Sequence, residues 1–193
     1  MTLRYALLGV LEARPMTGYE LAQFFDESTS WVWSAPHSNI YPQLRKMEEE
    51  GLLTSRTEVR GERLERTVYS ISSKGIAELR TWVSSDPGPV NQRDPLFLRS
   101  TFFDMVEEDD AEALLEEFIT RQSDLVKQWQ EHRDALLQKN TPLLRERLKH
   151  RPSGEHERIA ALKANVFQGM IDQAKARIRW ARHTIELLNS NDR

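Results

Sequence analysis

The chain has 193 residues, 39% of them hydrophobic and 30% charged, with a formal net charge of −3. That length suits one large domain or two small ones, the charged share above the roughly 25% of an average domain favours long solvated helices, and the acidic balance excludes nucleic-acid binding through bulk charge while leaving room for a local basic site. The absence of cysteine excludes disulfides and thiolate metal sites, and no apolar run at the start is long enough for a signal peptide or membrane span, so a soluble, cytoplasmic protein without membrane contact is expected.

Leu3, Leu7, Val10 and Leu11 recur at helical spacing, which predicts a helix over residues 2 to 13, closed by Arg14-Pro15-Met16. Thr17 with Glu20 three residues on has the form of a capping box, followed by an apolar face of Leu21, Ala22 and Phe25. Glu27-Ser28-Thr29-Ser30 is loop chemistry, and Trp31 and Trp33 follow in a short non-helical stretch. Ser34 to Pro36 signals a helix start, but Pro42 would then sit in the interior at a cost of about 3 kcal/mol. A start near Ser38 or Asn39 puts Pro42 in the first turn and is preferred. Ile40, Leu44 and Met47 face inward, and Gly51 stops this third helix.

Two β-rich runs, LLTSRTEV and LERTVYSI, flank a polar turn holding Gly61, which reads as a hairpin. Ile76, Leu79 and Val83 mark a fourth helix. The stretch Ser84 to Pro89, with two prolines and a glycine, is the linker candidate. Beyond it Asp94-Pro95 starts a helix carrying Leu96, Leu98, Phe102 and Phe103, and Asp109 caps a long one with Leu114, Phe118, Leu125, Trp129 and Leu136 as a sparse seam. Thr141-Pro142 starts a short helix with Leu143, Leu144 and Leu148. The final helix, from about Glu155 to Leu188, sets Ile159, Leu162, Val166, Met170, Ala174, Ile178, Ala181, Ile185 and Leu188 on one stripe.

Three helices, a hairpin and a fourth helix make the first 86 residues a winged helix-turn-helix. In that arrangement the third helix enters the major groove and its N-terminal residues reach base edges. The pattern fits: Ser34 to Met47 contains no acid, Glu48, Glu49 and Glu50 come only at the far end, and Arg45 and Lys46 stand a turn further on, within reach of phosphate. Pro36 and Pro42 stiffen the entry. Arg60 and Arg63 flank Gly61 at the wing tip, where glycine permits a positive-φ turn and the arginines reach an adjacent minor groove or backbone. Several phosphates neutralised in this way make binding strongly salt-dependent. Other uses of the same residues stay open: the winged helix as a protein-interaction scaffold, Tyr41 as core packing, His37 as a bystander, Trp31 and Trp33 as packing residues, and the three glutamates as a solvated face.

The stretches LRYALLGVLEARPMTGYEL, SNIYPQLRKMEEEGLL and TVYSISSKGIAEL resemble the PadR-like family of winged-helix transcription regulators. The first resembles the family's opening helix and its Gly-Tyr-Glu-Leu segment, here Gly18 to Leu21. The second resembles its Ile-Tyr-Pro-x-Leu recognition motif, here Ile40 to Leu44, and the third its second wing strand and fourth helix. The later region resembles the helical C-terminal domain of the larger family members. The resemblance implies a homodimer that represses a promoter under control of a small molecule or another signal. It places Thr17, Tyr19, His37, Ser38, Asn39, Tyr41, Arg45 and Lys46 on or near the DNA face, with Arg60 and Arg63 on the wing.

The expected architecture is therefore mainly α with a small β-hairpin wing: residues 1–86 a winged helix-turn-helix, and residues 94–193 a helical dimerisation and effector domain. The wide apolar stripes of the long helices need packing partners, and a symmetric second copy is the simplest supply. Asp109 to Lys139 and Glu155 to Asn189 are the expected interface. Trp129, Trp180, Phe118 and Phe167 could line an effector pocket, but packing is the preferred reading, and no polar set identifies a ligand. Catalytic signatures such as G-x-x-x-x-G-K-[ST], G-x-S-x-G and H-E-x-x-H are absent from the sequence, Glu155-His156-Glu157 lacks a further ligand at metal spacing, and neither an enzyme nor a cofactor is expected. The expected partners are double-stranded DNA, a second copy, and a small-molecule effector of unspecified identity.

Overall fold

A computed structural model describes residues 2–27, 37–60, 64–88 and 94–192. The chain divides into two units, one made of Met1–Gly88 with Arg145–Arg151, the other of Pro89–Leu144 with Pro152–Arg193.

In the first unit the elements run α1 (Thr2–Leu11), β1 (Met16–Thr17), α2 (Gly18–Glu27), α3 (His37–Glu49), β2 (Leu53–Arg60), β3 (Leu64–Ile71) and α4 (Ser73–Val83). The strands form an antiparallel sheet in the order β1-β3-β2. β1 was not foreseen from the sequence. Two residues are too short for a period-2 pattern, and the strand exists because Met16 and Thr17 find Tyr69 and Val68 on the edge of β3. The core is built by Leu7, Leu8 and Leu11 of α1, Leu21 and Phe25 of α2, Ile40, Leu44 and Met47 of α3, and Leu52, all at 2% exposure or less. These positions follow the 3.6-residue period. Val83, one of the apolar residues that mark α4, is 71% exposed.

Local signals explain the helix ends. The Thr17–Glu20 capping box forms in full: Thr17 N donates to Glu20 Oε2 at 2.7 Å and Glu20 N to Thr17 Oγ1 at 3.1 Å. Gly51 closes α3 at φ 73°, with Leu52 N returning to Met47 O at 2.9 Å. Ser72 caps α4 by accepting from Gly75 N at 3.0 Å. α3 departs from expectation at its start. It runs from His37, so Pro42 lies inside it, and the carbonyl of Ser38 loses the amide it would otherwise accept from. Ser38 is exposed, which leaves that carbonyl open to water and limits the cost.

In the second unit α5 (Pro95–Ser100) is capped by Asp94, whose Oδ1 accepts from Leu96 N at 2.9 Å. α6 (Glu108–Leu137) packs along α8 (His156–Leu188), and α7 (Pro142–Lys149) lies between them in the chain. The residue before α6 is Glu107, without a side-chain cap, so Asp109 is a first-turn acid favoured by the helix dipole rather than the cap. The seam of α6 is Ala111, Leu115, Phe118, Val126, Trp129 and Leu136, with Leu114 and Leu125 half-buried beside it. α8 differs more. Its buried positions are Ala160, Ala164, Phe167, Ile171, Ala174, Ile178 and Ala181, while Leu162 and Val166 of the expected stripe are 59% and 51% exposed. The alanines let the two long helices approach closely, which larger side chains would prevent. Phe118 and Trp180 are packing residues in the cluster around Leu115 and Ala181, and Phe167 packs against His132 with the rings tilted by 50°. Among the described residues no helix is long and apolar enough to cross a membrane, and no group of three or more His, Cys, Asp or Glu could hold a metal ion.

Candidate nucleic-acid interface

α3 is amphipathic in a particular sense. Ile40, Leu44 and Met47 point into the core at 0% exposure. The opposite face presents Ser38, Asn39, Tyr41, Pro42, Arg45 and Lys46, all exposed. No carboxylate falls among them. The expected site residues Ser38, Asn39, Tyr41, Pro42, Arg45 and Lys46 are thus brought onto one surface by the helical repeat alone.

Tyr19 adds to it from α2, 70% exposed. It follows Gly18, which is buried against α3: a Cβ on Gly18 would meet the Tyr41 ring. Thr17 sits differently from the rest. It is 8% exposed, and its hydroxyl is committed to Glu20, donating to Oε2 at 2.9 Å. It therefore shapes the turn into α2 and presents little surface. Burial alone would raise the Glu20 pKa, but the Thr17 backbone and side-chain hydrogen bonds, with Arg14 and Arg66 nearby, hold it below the usual carboxylate value.

The glutamates at the end of α3 are not a simple solvated face. Glu48 accepts from the Ser55 hydroxyl on β2, and Glu50 pairs with Arg4 of α1. Arg4 also binds Glu78 of α4 through Nε at 2.6 Å, and its pKa is raised, with the Glu78 hydrogen bond the largest cause. Lys74 Nζ donates to Glu50 O at 2.7 Å, and Ser72 Oγ to Gly51 O at 2.7 Å. The far end of α3 is in this way tied to α1, β2 and α4, and only Glu49 is left fully at the surface. Sequence reading missed these ties, since each partner lies outside its local window.

At the wing, β2 and β3 pair from Leu53↔Ile71 to Arg60↔Leu64. Trp31, Trp33, Ser34, Pro36, Gly61, Glu62 and Arg63 lie outside the described residues, as do the side chains of His37 and Arg60. Among the described arginines, Arg66 and Arg56 both contact Glu58. The sequence carries the signal for this, an acid flanked by arginines at i−2 and across the hairpin, but register decides it.

Arg147 of α7 and Arg151 just beyond it both pair with Glu12, the residue after α1, and Arg147 Nη2 donates to Gly9 O at 2.6 Å. Burial pulls the Arg147 pKa down, with Glu12 opposing.

Three comparisons bear on this geometry. Residues 7–81 match the model of the transcriptional regulator PadR-like family. The chain is 34% identical over 116 residues, 60% of its length, to the negative transcriptional regulator PadR of Bacillus subtilis (strain 168), and that match spans 64% of the relative. Among solved structures, Bacillus subtilis PadR in complex with operator DNA superposes with a TM-score of 0.73 at 25% identity, over 97% of this chain and 99% of that one. Bacillus subtilis PadR in complex with p-coumaric acid superposes with a TM-score of 0.74 at 23% identity, over 98% and 100%, a likeness of fold.

Proposed function

We propose, from a chain whose residues 7–81 match the model of the PadR-like family of transcriptional regulators, that it is a sequence-specific DNA-binding regulator that represses transcription as a homodimer. The observation that carries the reading is the exposed face of α3 from Ser38 to Lys46, free of acids up to Glu49 in the last turn, on which Ser38, Asn39, Tyr41, Pro42, Arg45 and Lys46 stand together above a fully buried apolar face. Small polar groups at the start of α3 suit hydrogen bonding to base edges in a major groove, and Arg45 and Lys46 suit phosphate. Tyr19 and the wing around Arg60 and Arg63 extend the contact. The chain acts by binding rather than by catalysis, in the cytoplasm with its DNA.

The homodimer is supported by the second unit, which by itself exposes Leu98 at 65%, Phe102 at 53%, Met105 at 75% and Leu162 at 59%. An apolar surface of that kind calls for a partner, and a two-fold copy matches a palindromic site. A small-molecule effector belongs to the same proposal, because the Bacillus subtilis protein is solved with p-coumaric acid.

The test is a gel shift of the full chain on DNA upstream of its own gene, at low and high salt. Expected is a discrete shift lost in Arg45→Ala and Tyr41→Ala with folding intact, a dimer by sedimentation, and, with p-coumaric acid as probe, a weakened shift if effector class is shared. Absence of a shift on any upstream palindrome at low salt would favour the protein-interaction scaffold.

A further inference from the structure

On β2 and β3 one face of the wing carries a small charge network. Glu58 stands directly across from Arg66 in the strand register, and Arg56 lies two residues back on the same face of β2. Glu58 Oε2 accepts from Arg66 Nε at 3.0 Å and Nη2 at 2.6 Å, and Oε1 faces Arg56 Nη2 at 2.8 Å. Both carboxylate oxygens are therefore occupied by guanidinium. The two arginine side chains are 68% and 44% exposed, so a phosphate could reach them, yet their forks are turned onto the protein's own acid. The hydrogen bond from Arg66 is the foremost cause that keeps the Glu58 carboxyl below its usual value and ionised. Arg66 also contributes to holding Glu20 ionised at the start of α2, next to the exposed Tyr19.

The guanidinium fork fits carboxylate and phosphate alike. We propose that Glu58 attenuates the wing's affinity for DNA: it stands in for a phosphate, engages Arg56 and Arg66, and so lowers the sequence-independent grip of the wing on DNA. The proposal rests on the DNA-binding reading above. Phosphate contacts add affinity to every sequence equally, whereas base contacts discriminate. A wing whose cations are already occupied adds little to either sequence and leaves discrimination to α3, so affinity falls on all DNA while the ratio of operator to random-DNA affinity is unchanged. Exposed ion pairs are weak enough for a phosphate to displace, so Glu58 attenuates the contact without abolishing it. It acts through the two arginines and is in that sense a positioning residue.

The experiment is fluorescence anisotropy of the full chain on a labelled upstream duplex and on an unrelated duplex of the same length, across a salt series. Glu58→Gln, nearly the same shape without the charge, is expected to tighten binding to the unrelated duplex at low salt. It should also steepen log K against log salt by about one to two on both duplexes, at roughly 0.9 for each phosphate neutralised. The preference for the upstream duplex should stay unchanged. Adding Arg56→Gln and Arg66→Gln to Glu58→Gln should return the slope to the wild-type value. An unchanged slope in Glu58→Gln on both duplexes, or a triple-variant slope that stays as steep as that of Glu58→Gln, overturns the proposal while the regulator reading stands. A wild-type chain that binds neither duplex at low salt overturns both.

Discussion

Gly18 and Tyr41 are in contact with no space for a methyl group between them: a Cβ built on Gly18 would lie 2.6 Å from Tyr41 Cε1 and 3.0 Å from Cδ1. Tyr41 is 45% exposed, so its ring can swing outward while the core below stays closed. Gly18→Ala is therefore expected to keep the fold, with a melting midpoint within about 5 °C of wild type, and to weaken operator binding by about tenfold as Tyr41 leaves its place. Circular dichroism and gel shift on the same sample check this, and wild-type affinity in Gly18→Ala would show that the place of Tyr41 does not matter to binding.

Gly75 is tight for a different reason. A Cβ there would run into the backbone carbonyl of Leu52 and lie 2.9 Å from Ile71 Cγ1. Neither a carbonyl held by the turn after α3 nor a strand-end residue can swing away. Gly75→Ala is expected to destabilise the chain by about 3 kcal/mol through overpacking, measured as a lower urea midpoint. A change under about 0.5 kcal/mol would mean the turn after α3 yields more easily than its hydrogen bonds suggest.

Glu12 holds Arg147 of α7 and Arg151 just beyond it with only 17% of its side chain exposed, and Arg147 is 18% exposed. Removing the acid's charge leaves a mostly buried guanidinium uncompensated. Glu12→Gln should cost about 2–4 kcal/mol. Arg147→Met should cost less, because Arg151 still faces Glu12 and the apolar replacement is tolerated in that site. Equal losses in the two variants would argue that the carbonyl bond to Gly9, not the ion pair, holds α7 in place.

His132 packs against Phe167 with ring centroids 4.6 Å apart and the planes tilted by 50°, and burial lowers its pKa from 6.5. The folded state then binds protons less readily than the unfolded chain, so stability rises with pH through this group. The contribution is present above about pH 6.5 and is lost as pH falls from there toward the lower folded value. Wild type should lose thermal midpoint between pH 7.5 and about 5.5, and His132→Gln should show a flatter profile over that window. Parallel profiles would assign the acid sensitivity to other groups.

Much of the first unit was legible in the sequence because its signals are short-range. Thr17 with Glu20 and Gly51 each act within one turn, as Asp94-Pro95 does in the second unit. The exposed face of α3 was legible for the same reason, since a helical period and the absence of acids can be read directly. The Glu48, Glu50 and Glu58 partnerships were not, because Ser55, Arg4 and Arg66 join them only through packing or strand register.

The sequence by itself determined which segments are helical, where the hairpin folds, and which side chains of α3 face outward, because each follows from spacing along a single element. Tertiary structure alone decided that Met16 and Thr17 join a sheet, that Arg147 and Arg151 reach Glu12, and which face of α8 is buried. α8 carries apolar residues on more than one side, and hydrophobicity favours Leu162 and Val166. The close approach of α6 selects Ala160, Ala164 and Ala181 instead, because the separation of two packed helices is set by side-chain volume at the contact.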